Sequence, residues 1–397
     1  MNKLNLTHAK VVLPDQILEN ASVRIEDGTI HSINDHNAVN PDEEVLSLDG
    51  AYLMPGIIDI HTDALDAEIN PRPGADIPIG IAFAELERKM SGVGFTTVYH
   101  SLHLGYNSAE LNSRSKYSRE EVFKTVSDSF LLPGLLRNKI HLRFELTGIH
   151  AYETCFDFIN AGYISMLSVM DHTPGQGQFG MEHYVEFLKK MGKTENEAKE
   201  KFEEEINKPR IEGEKLRALI QFAQDKGIAV ASHDDDTPEK VSLMHSYGVQ
   251  ICEFPINFET AHFAKSLKMD VVGGASNILR GGSLSGNMDM KTAVLNDAVN
   301  VLCSDYYPPA ILHSIFKLHL DSGMDLSKAS NLASLNAAKA AGIQDFTGSI
   351  EIGKSADLMV VEMRNGIPFV RETLVQGNLV ARSKAKENKE DPWKVLN

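Results

Sequence analysis

Between residues 56 and 342 the chain repeats one pattern eight times: a short apolar run, then a stretch of mostly helical periodicity. The runs are GIIDIHTD, GFTTVYHS, IHLRFELTG, ISMLSVMDH, GIAVASHDDD, VQICEFPIN, DVVGGASN and VNVLCSDYY. Segments such as FAELERKMSG, EKLRALIQFAQDKG and DLSKASNLASLNAAKAAG lie between them. Apolar strands that alternate with helices are buried on both faces of a parallel sheet. Eight such units in one stretch fit a (β/α)8 barrel. The expected fold is therefore α/β, with a TIM-like barrel over residues 56–344.

The two ends read differently. Residues 1–55 hold short strands broken by turns, with Asp27-Gly28 as a hairpin signal inside ASVRIEDGTIHSI. Residues 345–397 return to that style in GSIEIGKSADLMVVEM and TLVQGNLVARS. Both ends together predict one small β-sandwich domain, followed by a charged tail from Arg382 onward that is expected to fray. The charged stretch 183–214 is longer than one crossover and predicts an exposed helical insertion over the barrel mouth.

Composition narrows the function. A formal net charge of −16 argues against nucleic acid held on a general basic surface. Any anionic substrate must then find its cations inside the site. The three cysteines are far apart and form no CxxC pair, so neither a disulfide framework nor a thiolate zinc site is expected. No run approaches the ~20 apolar residues of a membrane span, and the start lacks an apolar signal core. The expectation is a cytoplasmic enzyme, with a homodimer as the default assembly.

Barrel enzymes place their chemistry where the strands end, and the titratable residues fall there. His61 and Asp63 close the first run two residues apart, so both can face the interior. In His141-Leu142-Arg143-Phe144-Glu145-Leu146 the leucines and phenylalanine form one face. His141, Arg143 and Glu145 form the other. Glu145, nearest the mouth, is placed to bridge two metal ions. Arg143, one pleat deeper, either contacts substrate or orients a ligand carboxylate, and His141 is read as structural. His172 and His233 end the fourth and fifth runs. Imidazoles beside carboxylates suit zinc, manganese or iron, as one ion or two. Asp305 ends the eighth run as a further ligand and the candidate general base. Asp171, Asp234, Asp235 and Asp236 are read mostly as supporting or loop residues.

Phosphate chemistry is suggested by SNILRGGSLSGN after the seventh run. Its glycines let backbone N–H groups approach an anion, and Arg280 adds a bidentate donor. Arg72 in NPRPG is a second candidate cation, and Gln176 in the turn after His172 a candidate hydrogen-bonding group.

These residues resemble the amidohydrolase superfamily in the order HxD, strand carboxylate, His, His, Asp. The tail GSIEIGKSADLMVV looks like that superfamily's flanking β domain. The likeness narrows to the PhnM branch, the diphosphatases of ribose phosphonate triphosphates in carbon–phosphorus lyase pathways. It rests on HTDALDAEINPRP, HLRFEL, SVMDHTPGQGQF, ASHDDDTPE, EFPINFETA, SNILRGGSLSGN and CSDYYPPA. The resemblance implies a phosphorylated small-molecule substrate cleaved to a 5-phosphate and pyrophosphate. It also implies a metal centre of His61, Asp63, Glu145, His172, His233 and Asp305. The alternative is an amidohydrolase cleaving a cyclic amide or N-acyl bond at the same centre. A silent barrel acting as a binding subunit is a third reading, opposed by the intact ligand set.

Overall fold

The computed structural model describes residues 3–33, 43–72, 74–105, 116–174, 181–282 and 288–384. Five strands open the chain: β1 (Lys3–Val12), β2 (Ile17–Glu26), β3 (Thr29–Ile33), β4 (Glu44–Ser47) and β5 (Tyr52–Pro55). β2 and β3 form the hairpin that Asp27-Gly28 predicts. Both turn residues sit at positive φ, 48° and 81°, as a tight hairpin of this kind requires.

The eight apolar runs become eight strands: β6 (Ile57–Thr62), β7 (Phe95–Leu104), β8 (Arg137–Glu145), β9 (Met166–Met170), β10 (Ala229–His233), β11 (Ile251–Glu253), β12 (Asp270–Gly274) and β13 (Val301–Cys303). They lie side by side in sequence order, all parallel. The ring closes between its ends. Thr62 bridges Asp305, the Asp305 N–H donates to the His61 carbonyl (3.1 Å), and the Asp63 N–H donates back to the Asp305 carbonyl (2.7 Å). Closure therefore brings the HxD segment against the residue that follows the last strand.

Inside the ring, Ile58, Ile60, Tyr99, Met166, Ile251 and Val301 share one buried cluster with Ala337 and Ala338 of the helix Leu335–Ala340. Outside it, Ile140, Leu142 and Phe144 of β8 pack with the helices in a second, larger cluster. The alternation of β8 is thus realised: apolar residues face the helices and polar ones the interior.

The last three strands, β14 (Leu358–Arg364), β15 (Ile367–Val375) and β16 (Asn378–Arg382), join the first five in one sheet. Its order is β16-β15-β14-β5-β1-β2-β3, with β4 also on β1. The antiparallel pair β14–β5 ties the C-terminal strands to the N-terminal ones, so a domain from both termini is present. It is fastened to the barrel by Arg137 at the start of β8. That guanidinium makes two bonds to the buried Asp357 carboxylate, at 2.6 and 3.0 Å. The stretch after β9 forms two helices, Met181–Lys190 and Glu195–Ile206, the second opened by a capping box of Thr194 and Glu197.

Candidate metal centre at the barrel mouth

Three histidines converge at the strand ends, each with its Nδ1 against a carboxylate. His61 Nδ1 lies 2.8 Å from Glu253 Oε1, and His233 Nδ1 lies 2.9 Å from Glu253 Oε2. His172 Nδ1 lies 2.8 Å from Glu145 Oε2. At His172 and His233 an Nδ1–H that donates to a carboxylate fixes the tautomer and leaves Nε2 as the atom that could bind a metal ion. His61 Nδ1 meets Glu253 Oε1 as a close ion-pair contact that is not among the described hydrogen bonds. The chemistry of this donor set fits a divalent ion. Three overlapping triads have ligand atoms within 4.8 Å of one another: His61, Asp63 and Asp305; His172, His233 and Asp234; and His61, His233 and Glu253.

Glu253 is the carboxylate that the sequence reading did not single out. It ends β11 and is fully buried. Burial opposes its charge, but His61, His141 and His233 around it hold its carboxyl well below the usual range. Beneath it, Ser168 Oγ stands 2.9 Å from Glu253 and 2.5 Å from His141 Nε2. His141 in turn donates from Nδ1 to the Ile60 carbonyl (2.8 Å), and burial drives its pKa down to about 4. The available signal was position: Glu253 is the titratable end of the sixth run, as His233 is of the fifth.

Arg143 sits at the centre. Its Nη1 donates to Asp63 (3.0 and 3.1 Å) and to His103 Nε2 (3.1 Å), its Nη2 to His233 Nε2 (3.1 Å), and its Nε faces Met170 Sδ (3.1 Å). Arg143 thus contacts Asp63, one of the candidate ligand carboxylates. His103, also missed, lies opposite Arg143 in the β7–β8 register. It follows His100 by three residues and so faces the other side of β7. His100 packs by Phe83 and bonds Asn138 outside. Burial, reinforced by Arg143, drives the His103 pKa well down.

The backbone bends sharply where ligands are presented. Asp234, Phe254 and Asp305, each just past a strand end, hold φ of 51°, 55° and 60°. Left-handed conformations in such residues cost energy and cluster at functional sites. Phe254 meets both His61 and His233 edge-on, with centroids 5.0 and 5.3 Å away, and so walls the imidazole pair. Burial pushes the Asp305 carboxyl up to about 6, against the pull of His61.

The remaining predicted residues separate. Glu145 belongs to none of the three triads. It accepts from His172 through both oxygens, from the backbone N–H at 3.2 Å and from the ring at 2.8 Å. Asp234 joins a triad, whereas Asp235 is held by Ser232 and Lys240. Arg280 is exposed and donates to the hydroxyl of Tyr306 (3.2 Å), the neighbour of Asp305. Arg72 is exposed and makes no described side-chain bond to the cluster. Gln176 lies outside the described residues. Further cations stand in ion pairs near these strand ends: Arg119 with Asp66 and Arg210 with Asp171.

A closed parallel barrel with histidines and carboxylates at its strand ends, beside a sheet from both termini, defines a metal-dependent hydrolase of the amidohydrolase superfamily. The amidohydrolase family profile matches residues 281–384. The chain is 30% identical over 382 residues to the α-D-ribose 1-methylphosphonate 5-triphosphate diphosphatase of Escherichia coli (strain K12), covering 94% of this chain and 99% of that one. It belongs to that diphosphatase's family within the superfamily. It is also 21% identical to the imidazolonepropionase of Thermoplasma volcanium, over 91% of each chain. Among solved structures, a prolidase complexed with N-methylphosphonate-L-proline superposes with a TM-score of 0.66 at 15% identity, over 96% of this chain and 100% of that one. A D-hydantoinase superposes with a TM-score of 0.65 at 14% identity, over 96% of this chain and 95% of that one. No helix among the described residues is long and apolar enough to cross a membrane.

Proposed function

We propose that this protein hydrolyses α-D-ribose 1-methylphosphonate 5-triphosphate to the 5-phosphate and pyrophosphate. The observation that carries this reading is end-to-end similarity to a diphosphatase of that substrate. The donor set supports it: His61, His172 and His233 with Asp63 and Asp305 would hold a divalent ion, zinc by preference for nitrogen and oxygen donors. Such an ion, when bound, polarises a phosphoryl oxygen and makes water nucleophilic near neutral pH.

The protein's own residues supply the rest. Asp305 takes a proton from the attacking water. The water oxygen bonds to the α-phosphorus, and the bridging oxygen leaves with pyrophosphate. Glu253 and Glu145 keep the imidazoles oriented throughout. Arg143 offers a fixed cation at the centre, and Arg280 with Tyr306 contacts the outer phosphates at the mouth. This confines positive charge to the site in a chain that is acidic overall.

The test is phosphorus NMR of the purified protein, chelated and then resupplied with zinc, manganese or iron. The ribose phosphonate triphosphate is the substrate, with ATP and a cyclic amide as comparators. Metal-dependent pyrophosphate from the first alone is expected. Amide cleavage without pyrophosphate would keep the metal centre and overturn the substrate.

A further inference from the structure

β12 alternates like the other strands of the ring. Val271 packs outward with the helices, Val272 faces the interior, and Gly273 turns back toward Met290 and Val299. Gly274 is therefore the next inward position, one pleat nearer the mouth than Val272, which stands level with Glu253. A side chain there would point among the catalytic groups, and the glycine leaves a cradle in its place. A Cβ on Gly274 would lie 3.5 Å from Phe254 Cε1, 3.7 Å from Ser276 Oγ and 3.8 Å from Asp305 Oδ2.

We propose that this cradle is a subsite for one neutral O–H oxygen, which donates to Asp305 and is held by the Ser276 hydroxyl. The proposal deepens the diphosphatase reading above and rests on it, since Asp305 is the base there.

Ser276 opens the segment SNILRGGSLSGN and is 2% exposed, and its Oγ takes none of the described hydrogen bonds. A buried hydroxyl without a partner is costly, and the great majority have one. Two other serines buried in the ring follow that rule. Ser168 bonds Glu253 and His141, and Ser304 Oγ donates to Thr62. Ser276 differs in lying against a glycine that keeps space beside it.

Charge selects the occupant. A phosphoryl oxygen in the cradle would be repelled by the Asp305 carboxylate. An O–H donates to that carboxylate and still has lone pairs for the Ser276 hydroxyl. The Phe254 edge closes the third side without a polar atom, so the cradle is matched to one small group. Two oxygens of the reaction have this chemistry: the attacking water and a sugar hydroxyl of the substrate. If the occupant is the water, its proton passes to Asp305 and its oxygen bonds to phosphorus, while Ser276 stays protonated.

Gly274→Ala fills the cradle, and Ser276→Ala removes its hydroxyl. The alanine methyl meets its neighbours at ordinary contact distance, and φ −76° with ψ 120° suits any residue, so both variants should fold. Their zinc content is expected to equal that of wild type, with melting temperatures no lower. With the ribose phosphonate triphosphate each should lose about tenfold in kcat/KM. The double variant should lose no more than the worse single, because both remove one occupant. A fall in kcat identifies the attacking water, and a rise in KM the sugar hydroxyl. Wild-type kinetics in both variants, or losses that multiply in the double, overturn the proposal. A crystal structure of the zinc-loaded protein tests it without substrate. One ordered oxygen within about 3 Å of both Ser276 Oγ and Asp305 is expected in wild type, and none in Gly274→Ala. Wild type without that oxygen overturns the subsite, whereas wild type that releases no pyrophosphate overturns the substrate reading alone.

Discussion

The lower half of the barrel interior is filled by Ile58, Tyr99, Met166, Ile251 and Val301. Higher along the same ring stand His61, Arg143, His233, Glu253 and Asp305, a layer as dry as the one below except at Asp305. Both layers obey the same strand geometry, yet they spend it differently. The lower one removes apolar surface from water and stabilises the fold. The upper one buries charges that must be paired, and each pairing costs desolvation that its partner only offsets. Local rules for stability are broken at one level of one face, as expected where function is built. The two layers should therefore fail in separable ways.

The largest expected effect lies below. Ile58 is fully buried beside Ala338 and Gly348. Ile58→Ala should cost about 2–5 kcal/mol in denaturant unfolding of the chelated protein. Its metal content once folded should equal that of wild type, and loss of metal without loss of stability would dissolve the distinction between layers. Glu253→Gln probes the layer above. A glutamine amide can accept from one histidine only and must present N–H groups to the other, so one imidazole takes the wrong tautomer. Zinc affinity by competition with a chelating dye should fall about 10–100-fold, with little change in the chelated protein's unfolding. An unchanged affinity would mean Glu253 does not orient the ligands. Arg280→Ala lies outside both layers. Loss of one charge-assisted contact should raise KM for the triphosphate substrate about tenfold, leaving metal content and stability alone. An unaltered KM removes Arg280 from the phosphate site.

Much of the lower layer was legible in the sequence because period-two alternation and apolar runs are local signals. The eight runs map onto β6–β13, and the inward face of β8 was fixed by Leu142 and Phe144 alone. The upper layer was legible where a titratable residue closes a run, as at His61, His233 and Asp305. It was not legible where a role depends on which residue lies across the ring. Glu253 meets His61 from across the ring, and the contact of Glu145 with His172 appears only once β9 is placed beside β8. His103 was missed because the second run was cut short at Ser101, whereas β7 continues to Leu104. Arg143 was seen, but its four partners come from β6, β7, β9 and β10 or their ends. No spacing rule contains that.

Asp59 lies where the two layers meet, and it carries the smallest expected effect. It is fully buried on β6. Its Oδ1 accepts from the N–H of Ser304 (3.1 Å) and of His61 (3.3 Å), while Oδ2 takes none of the described hydrogen bonds. Burial pushes its carboxyl up to about 7 from an ordinary 3.8. The folded chain thus keeps a proton that the unfolded chain gives up, so the contribution is full below 3.8 and is lost as pH rises through 7. Asp59→Asn keeps the acceptor and removes the titration. Thermal unfolding of the chelated proteins should show wild type losing stability relative to the variant, by about 1 kcal/mol per pH unit between roughly pH 5 and 7. That corresponds to a relative shift of roughly 1–2 °C per pH unit. Parallel curves across that window would mean that Asp59 is ionised in the folded protein, its charge held by the upper layer's cations.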